Sequence, residues 1–153
     1  MADTAFSPLP GAVLFACNLN RVRSPMAEAL MRLTYGDRVY VDSCGVKPGE
    51  GVDPFAAAVM DELGADIAGH RTKAFAQLED GSFDVVISQT PEAQHSAVEM
   101  ARGRAVEIEY WPTMDPTLAT GSREAVLDAY RAVRDALRAR IAQRFGKPST
   151  FGG

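Results

Sequence analysis

Short apolar runs alternate with helical spacing along the chain. Ala12–Ala16 (AVLFA) is unbroken apolar and reads as a buried strand. Ser24–Leu33 follows, with Met26, Leu30 and Leu33 at helical steps. Val39–Asp42 predicts a second strand. Pro54–Leu63 predicts a helix that Gly64 stops. Phe83–Ser88 predicts a third strand, Pro91–Ala101 a helix and Ala105–Tyr110 a fourth strand. In the last helix Val126, Tyr130, Val133, Leu137 and Ile141 recur at three- and four-residue steps, one apolar stripe. No internal repeat or low-complexity tract interrupts this order. Residues 1–10 carry prolines and no pattern, and residues 146–153 (GKPSTFGG) read as a frayed tail.

Regular strand–helix alternation predicts an α/β fold, a three-layer sandwich with a four-stranded parallel sheet and helices on both faces. The 153 residues suit one domain with its core over about 11–145 and flexible ends. In such sheets ligands bind beyond the carboxyl ends of the strands. Chemistry is therefore expected in the loops after Ala16, Asp42, Ser88 and Tyr110.

Composition narrows the choice. A net charge of −4 argues against nucleic acid as a partner. The basic residues from Arg131 to Arg144 alternate with acidic ones and read as a solvated helix face. No apolar stretch reaches the length of a membrane span, and Ala12–Cys17 lacks the charged leader of a secretory signal. Two cysteines do not make a disulfide framework, so a cytoplasmic setting with a usable thiolate is expected. His70 and His95, the two histidines, have no suitably spaced partners for a metal.

The first loop, Cys17–Pro25 (CNLNRVRSP), carries the strongest signal. It joins a buried strand to a helix opening at Ser24 or Pro25, where a missing proline N–H costs nothing. A helix N-terminus behind a curled loop aims N–H groups at an anion. Asn18, Leu19, Asn20, Arg21 and Val22 supply that loop, and Asn20 tolerates a left-handed backbone. Cys17 is the candidate nucleophile, its thiolate favoured by the helix terminus and Arg23. Arg23 suits a bidentate clamp on phosphate oxygens. Ser24 can donate to the Cys17 sulfur. Taken singly these residues are ordinary. A strand, a cysteine, five residues, Arg-Ser and a helix together are specific.

Val13–Glu28 (VLFACNLNRVRSPMAE) resembles the signature of the low-molecular-weight protein tyrosine phosphatases, C-x5-R-S-P with a trailing M-A-E. The likeness runs along nearly the whole chain. Asp42–Gly45 (DSCG) resembles the family's Ser-Ala-Gly segment, Gly64–Arg71 (GADIAGHR) its His-Arg stretch, and Met114-Asp115-Pro116 its Asp-Pro loop. The resemblance implies Asp115 as general acid, Ser43 and His70 as supports hydrogen-bonded to Asn20, and no metal or cofactor. It implies a phosphocysteine intermediate and, as substrate, a phosphorylated protein or small phosphomonoester. A monomer or weak dimer is expected, with no membrane and no nucleic acid partner.

The chain departs from that family in several places. Leu19 stands where the family loop usually has Gly, and Val22 where many members carry a second cysteine. Cys44 is then the one thiol left to resolve oxidised Cys17, or else a small buried hydrophobe. Thr117 and Leu118 follow Asp-Pro where tyrosine-specific members often have tyrosines, and Val46–Val52 has no aromatic. Two walls for a phenyl ring are missing, with Tyr110 or Trp111 as substitutes. Arg21 belongs at the pocket rim, where it could attract a more anionic substrate. Trp111–Pro116 and Ala129–Ile141 also resemble arsenate reductases of the same fold. That reaction would need an external thiol or Cys44, because no cysteine follows the third strand. A non-catalytic oxyanion- or phosphoprotein-binding module is the third reading.

Overall fold

In the computed structural model every predicted strand and helix forms, over described residues 9–79 and 81–146. The expected lead-in and tail lie outside those residues, apart from Leu9, Pro10 and Gly146. The order is β1 (Ala12–Cys17), α1 (Arg23–Tyr35), β2 (Tyr40–Gly45), α2 (Pro54–Asp61), β3 (Val85–Ser88), α3 (Pro91–Ala101), β4 (Glu107–Tyr110) and α4 (Arg123–Phe145). All neighbouring strands are parallel, in the order β2-β1-β3-β4.

β1 is central, and Val13, Leu14, Phe15 and Ala16 have no exposed surface. That is why its sequence is an unbroken apolar run rather than an alternating one. Val13 and Phe15 face α1, α2 and α4 through Met26, Leu30, Val59, Tyr130 and Leu137. Leu14 and Ala16 face α3 through Ala93 and Ala97. Each large side chain buried this way contributes about 2–3 kcal/mol. From β1 the chain passes to β2 on one side and later to β3 on the other. The carboxyl ends of β1 and β3 therefore border the crevice where strand order reverses, the position at which such sheets take ligands.

The boundaries differ from expectation where tertiary bonds extend an element. α1 begins at Arg23 rather than Ser24 or Pro25, because the Met26 N–H donates to the Val22 carbonyl at 3.0 Å. Arg23 is thereby fixed in the first helical turn. β2 runs to Gly45 instead of Asp42, since Ser43 and Cys44 continue the ladder against Phe15 and Ala16. Gly64 closes the α2 segment at φ +79°, a backbone that favours glycine.

The basic side of α4 is not simply solvated. Arg134 is buried and donates to the Val59 carbonyl at 2.8 Å and to Glu62 at 2.7 Å. Arg131 also reaches Glu62, at 2.8 Å. Hydrogen bonds from Arg131 and Arg134 hold the Glu62 carboxyl well below its usual range, at about 2. Arg144 ties α4 to β4 through Glu109 at 2.6 Å. This face docks α4 onto α2 and β4. In the stripe itself Leu127 is buried where Val126 was expected, and Val126 is only partly covered.

Candidate active site

The loop between β1 and α1 has its carbonyls turned outward. Those of Cys17, Asn18, Leu19 and Arg21 accept from the N–H groups of Val46, Lys47, Gly49 and Asp53 at 2.9–3.0 Å. Among the described residues no group accepts from the N–H groups of Asn18, Leu19, Asn20, Arg21 or Val22. Carbonyls bound outside and N–H groups free inside form an anion nest. Asn20 takes the left-handed turn at φ 57°, alone among the described non-glycine residues. Leu19 keeps an ordinary backbone and leaves its side chain 46% exposed, so the loop closes without the family's usual glycine. Gly45 is packed beneath it. A Cβ there would stand 2.7 Å from the Asn18 carbonyl oxygen and 2.8 Å from the Asn20 nitrogen.

Hydrogen-bond directions under the loop follow from donor chemistry. The Asn20 amide nitrogen donates to Ser24 Oγ at 2.8 Å and to Ser43 Oγ at 3.0 Å. Each hydroxyl must then pass its own proton on. Ser43 donates to Glu28 Oε1 at 2.6 Å. Ser24 has two possible acceptors, Cys17 Sγ at 3.0 Å and the Cys44 carbonyl at 3.3 Å. The sulfur is the closer, so the Ser24 hydroxyl is placed to donate to it. Asn20, Ser24 and Ser43 are fully buried, so the network is held in one arrangement.

His70 closes the network from outside. Asn20 Oδ1 can only accept, and it accepts from the Lys73 N–H at 3.0 Å and from His70 Nε2 at 3.0 Å. The histidine proton is therefore on Nε2, with Nδ1 turned toward Glu28 Oε1 at 3.9 Å. Burial, then the Lys73 charge, push His70 down to about 4. Asp42 opposes that shift and Arg32 adds to it. Glu28 is pushed up by its burial, against Ser43 and Arg32. An unfolded histidine titrates near about 6.5. Between that value and 4 the unfolded chain binds the extra proton, so the His70 contribution is complete above 6.5 and is lost as pH falls through 4. Glu28 acts in the opposite sense, since its raised folded value favours the folded chain at low pH. Replacing His70 isolates its share. The melting-temperature advantage of the unsubstituted protein over His70→Gln should shrink by roughly 5 °C between pH 7 and pH 4.5. A constant difference across that range would show that His70 is not held neutral.

Across the loop stands the turn after β4. Asp115 Oδ1 accepts from the Thr117 N–H at 3.0 Å and the Thr117 hydroxyl at 2.6 Å. Its other oxygen, Oδ2, lies 4.0 Å from Arg23 Nη2. Arg23 Nη1 donates to the Thr113 carbonyl at 3.0 Å, so one guanidinium spans loop and turn. Cys17, Leu19, Arg21, Val22, Arg23, Asp115 and Thr117 line a cavity of about 40 Å³. That volume fits the oxyanion itself, and a leaving group would lie at the rim. Among the described residues no aromatic side chain lines it. Trp111 is buried against Phe15 at 6.0 Å between ring centroids, so it is core and not a pocket wall.

The sequence-predicted residues Cys17, Arg23, Ser24 and Asp115 come together here, with Asn20, Ser43 and His70 behind the loop. Cys44 does not join them. It packs with Leu14, Ala16 and Val86 on the α3 face of the sheet, whereas alternation along β1 turns Cys17 to the Phe15 face. Burial, then the charge of Cys17, push the Cys44 thiol well up, which disfavours the thiolate that resolving Cys17 would need. The hydrophobe reading of Cys44 stands. Sequence reasoning missed Glu28, Thr90 and the Asp53–Tyr130 pair. Thr90 caps α3 and donates to Asn18 Oδ1 at 2.6 Å. The Thr-Pro start of α3, in a loop already marked for chemistry, was its signal. Asp53 caps α2, donates its own N–H to the Arg21 carbonyl, and accepts from the Tyr130 hydroxyl at 2.8 Å. Asp-Pro ahead of a helix marked the cap, but nothing in sequence links it to Tyr130, 77 positions away. Among the described residues no group of His, Cys, Asp and Glu could hold a metal ion, and no helix is long and apolar enough to cross a membrane.

Comparison with known proteins adds to this geometry. The model of the family described as low molecular weight phosphotyrosine protein phosphatase matches residues 12–146. The glutaredoxin arsenate reductase of Synechocystis is 29% identical over 137 residues, 90% of this chain and 98% of that protein. An arsenate reductase of Halalkalibacterium halodurans is 32% identical over 129 residues, 84% and 91% of the two chains. The solved tyrosine phosphatase of Erwinia amylovora shares the fold, with a TM-score of 0.71 at 20% identity over 90% of this chain and 91% of that one.

Proposed function

The chain belongs to the low molecular weight phosphotyrosine protein phosphatase family, and on that premise we propose that it is a cytoplasmic phosphomonoester hydrolase acting through a phosphocysteine. One observation carries the reading. Cys17 and Asp115 line the same cavity, while Cys44, the other cysteine of the chain, is sealed on the opposite face of the sheet. A nucleophile and an acid with no second thiol suit two-step phosphoryl transfer. Cys17 attacks phosphorus in line, and the ester P–O bond breaks as Asp115 gives its proton to the leaving oxygen. Arg23 and the free N–H groups of the loop bind the equatorial oxygens as charge builds. Asp115, now a carboxylate, draws a proton from water, which attacks the phosphocysteine. Phosphate leaves and the Cys17 thiolate returns. A catalytic free thiol suits a reducing compartment.

Arsenate reduction is the second reading, favoured by the names that the relatives from Synechocystis and Halalkalibacterium carry. Reducing arsenate to arsenite takes two electrons. Cys17 would form a sulfur–arsenic bond as one arsenate oxygen leaves as water, and a thiol would then attack the Cys17 sulfur, breaking that bond to release arsenite and leave a disulfide. With Cys44 out of reach that thiol must come from outside, for example glutathione or a glutaredoxin.

Purified protein assayed on p-nitrophenyl phosphate, and on arsenate with several thiol donors, separates the two. Ester hydrolysis without arsenate turnover is expected. Thiol-dependent arsenate reduction with negligible ester hydrolysis would put the reductase reading in its place.

A further inference from the structure

The Arg21 side chain is a charged group of the pocket that phosphoryl transfer leaves unused. Its stem lies flat on Gly49, where a Cβ would stand 2.3 Å from Arg21 Cδ and 2.8 Å from Cγ. Its Nε donates to the Gly51 carbonyl at 2.7 Å. Its own carbonyl is held by the Asp53 N–H at 3.0 Å. The side chain is thus fixed by neutral groups. Among the described residues no carboxylate lies within 4.0 Å of it, although Arg131, Arg134 and Arg144 are all paired. Arg21 also lines the cavity that holds Cys17 and Asp115.

An arginine immobilised by neutral partners has surrendered side-chain entropy without gaining a counter-charge. Among the described residues no hydrogen bond engages its terminal nitrogens, and Arg21 lines the cavity at whose rim a leaving group must lie. The transferred phosphoryl already has Arg23 and the loop N–H groups. With no aromatic wall in the cavity, a flat neutral ring gains little there, whereas an anion would gain a preorganised charge-assisted contact.

We propose that Arg21 is a specificity residue that binds a second anionic group carried by the leaving group. The preferred substrate is a phosphomonoester whose leaving group itself bears a carboxylate or another phosphate. This rests on the ester-hydrolysis reading above.

The test compares phenyl phosphate with meta- and para-carboxyphenyl phosphate, so that each variant's ratio of kcat/KM cancels intrinsic ester reactivity. Arg21→Gln should lower kcat/KM for the better carboxylated ester about tenfold more than for phenyl phosphate. Arg21→Lys should restore part of the ratio, and added salt should shrink it in the unsubstituted protein. Gly49→Ala, which displaces the Arg21 stem without removing its charge, should lower the same ratio. Calorimetric binding of phenylphosphonate and carboxyphenylphosphonate reads the preference without turnover. If neither ester is hydrolysed, the phosphatase reading falls, and the phosphonates still decide the role of Arg21. Equal losses on charged and neutral esters in Arg21→Gln, or equal binding of the two phosphonates to the unsubstituted protein, would reduce Arg21 to a strut for the Gly49–Gly51 loop and overturn the proposal.

Discussion

Cys17→Ser should lower p-nitrophenyl phosphate hydrolysis by at least about a thousandfold while leaving inorganic phosphate able to bind. The substitution changes one atom at a site with 2% exposure, so the loop and its nest should persist. What is lost is the nucleophile's ionisation. A thiolate needs only a donor such as Ser24 to steady it, whereas a serine hydroxyl needs a base to take its proton. No base is available. The proton-bearing Nε2 of His70 is tied to Asn20, and Asp115 is needed as the acid. Ser24 is a neutral hydroxyl that already accepts from the Asn20 amide, and it is no base. Phosphate binding draws on Arg23 and backbone N–H groups that the substitution does not touch. Competition by inorganic phosphate in a binding assay, run beside the rate measurement, checks both halves. A serine variant with the full rate would end the phosphocysteine scheme.

The parts of this site that were legible in the sequence are those that one short segment encodes. Cys17, Arg23 and Ser24 lie within eight residues, and strand, loop and helix fix their relative positions through local geometry alone. Asn20 was legible because few side chains accept a positive φ. The fold class was equally open, since a central parallel strand must be apolar on both faces and Ala12–Ala16 is. Ser43, His70 and Asp115 could be named only by resemblance, because their partnership with the loop is made by tertiary packing. Glu28 shows the limit more sharply. Its sequence neighbours place it on an amphipathic helix, where an acid is ordinarily solvated. It is buried because Ser43 and His70 close over it, two residues brought there by β2 and the loop after α2. The same misreading applies to Arg134, placed on a solvated face by its charge and buried by contacts with Val59 and Glu62.

The missing aromatic walls and the missing second thiol point in different directions, and the structure relates them. Loss of flat walls weakens recognition of a phenyl ring but leaves the reacting groups intact. Loss of a resolving thiol bears on the chemistry itself, because arsenate reduction consumes two thiols in each turnover and the chain can present one. The relatives' names therefore weigh less here than the position of Cys44. A reductase built on this chain would depend wholly on a soluble thiol reaching a cavity whose floor is 2% exposed.

Asp115→Asn should separate acid catalysis from binding. The loss should depend on the leaving group, about a hundredfold or more for phenyl phosphate and much less for p-nitrophenyl phosphate. The geometry assigns the two carboxylate oxygens different tasks. Oδ1 is held by the Thr117 N–H and hydroxyl, which fixes the side chain, and an asparagine oxygen can accept both of those bonds. Oδ2 is not engaged by Thr117 and lies 4.0 Å from Arg23 Nη2. In the proposed mechanism Oδ2 is the oxygen that carries the proton to the leaving group. A phenolate leaves poorly without that proton, whereas p-nitrophenolate disperses its charge and leaves nearly unaided. An amide in place of the carboxyl keeps the bonds to Thr117 and offers no transferable proton, so melting temperature and phosphate affinity should hold while the dependence on leaving group steepens. Equal losses on both esters would mean that Asp115 acts through Arg23 or the loop rather than as the acid.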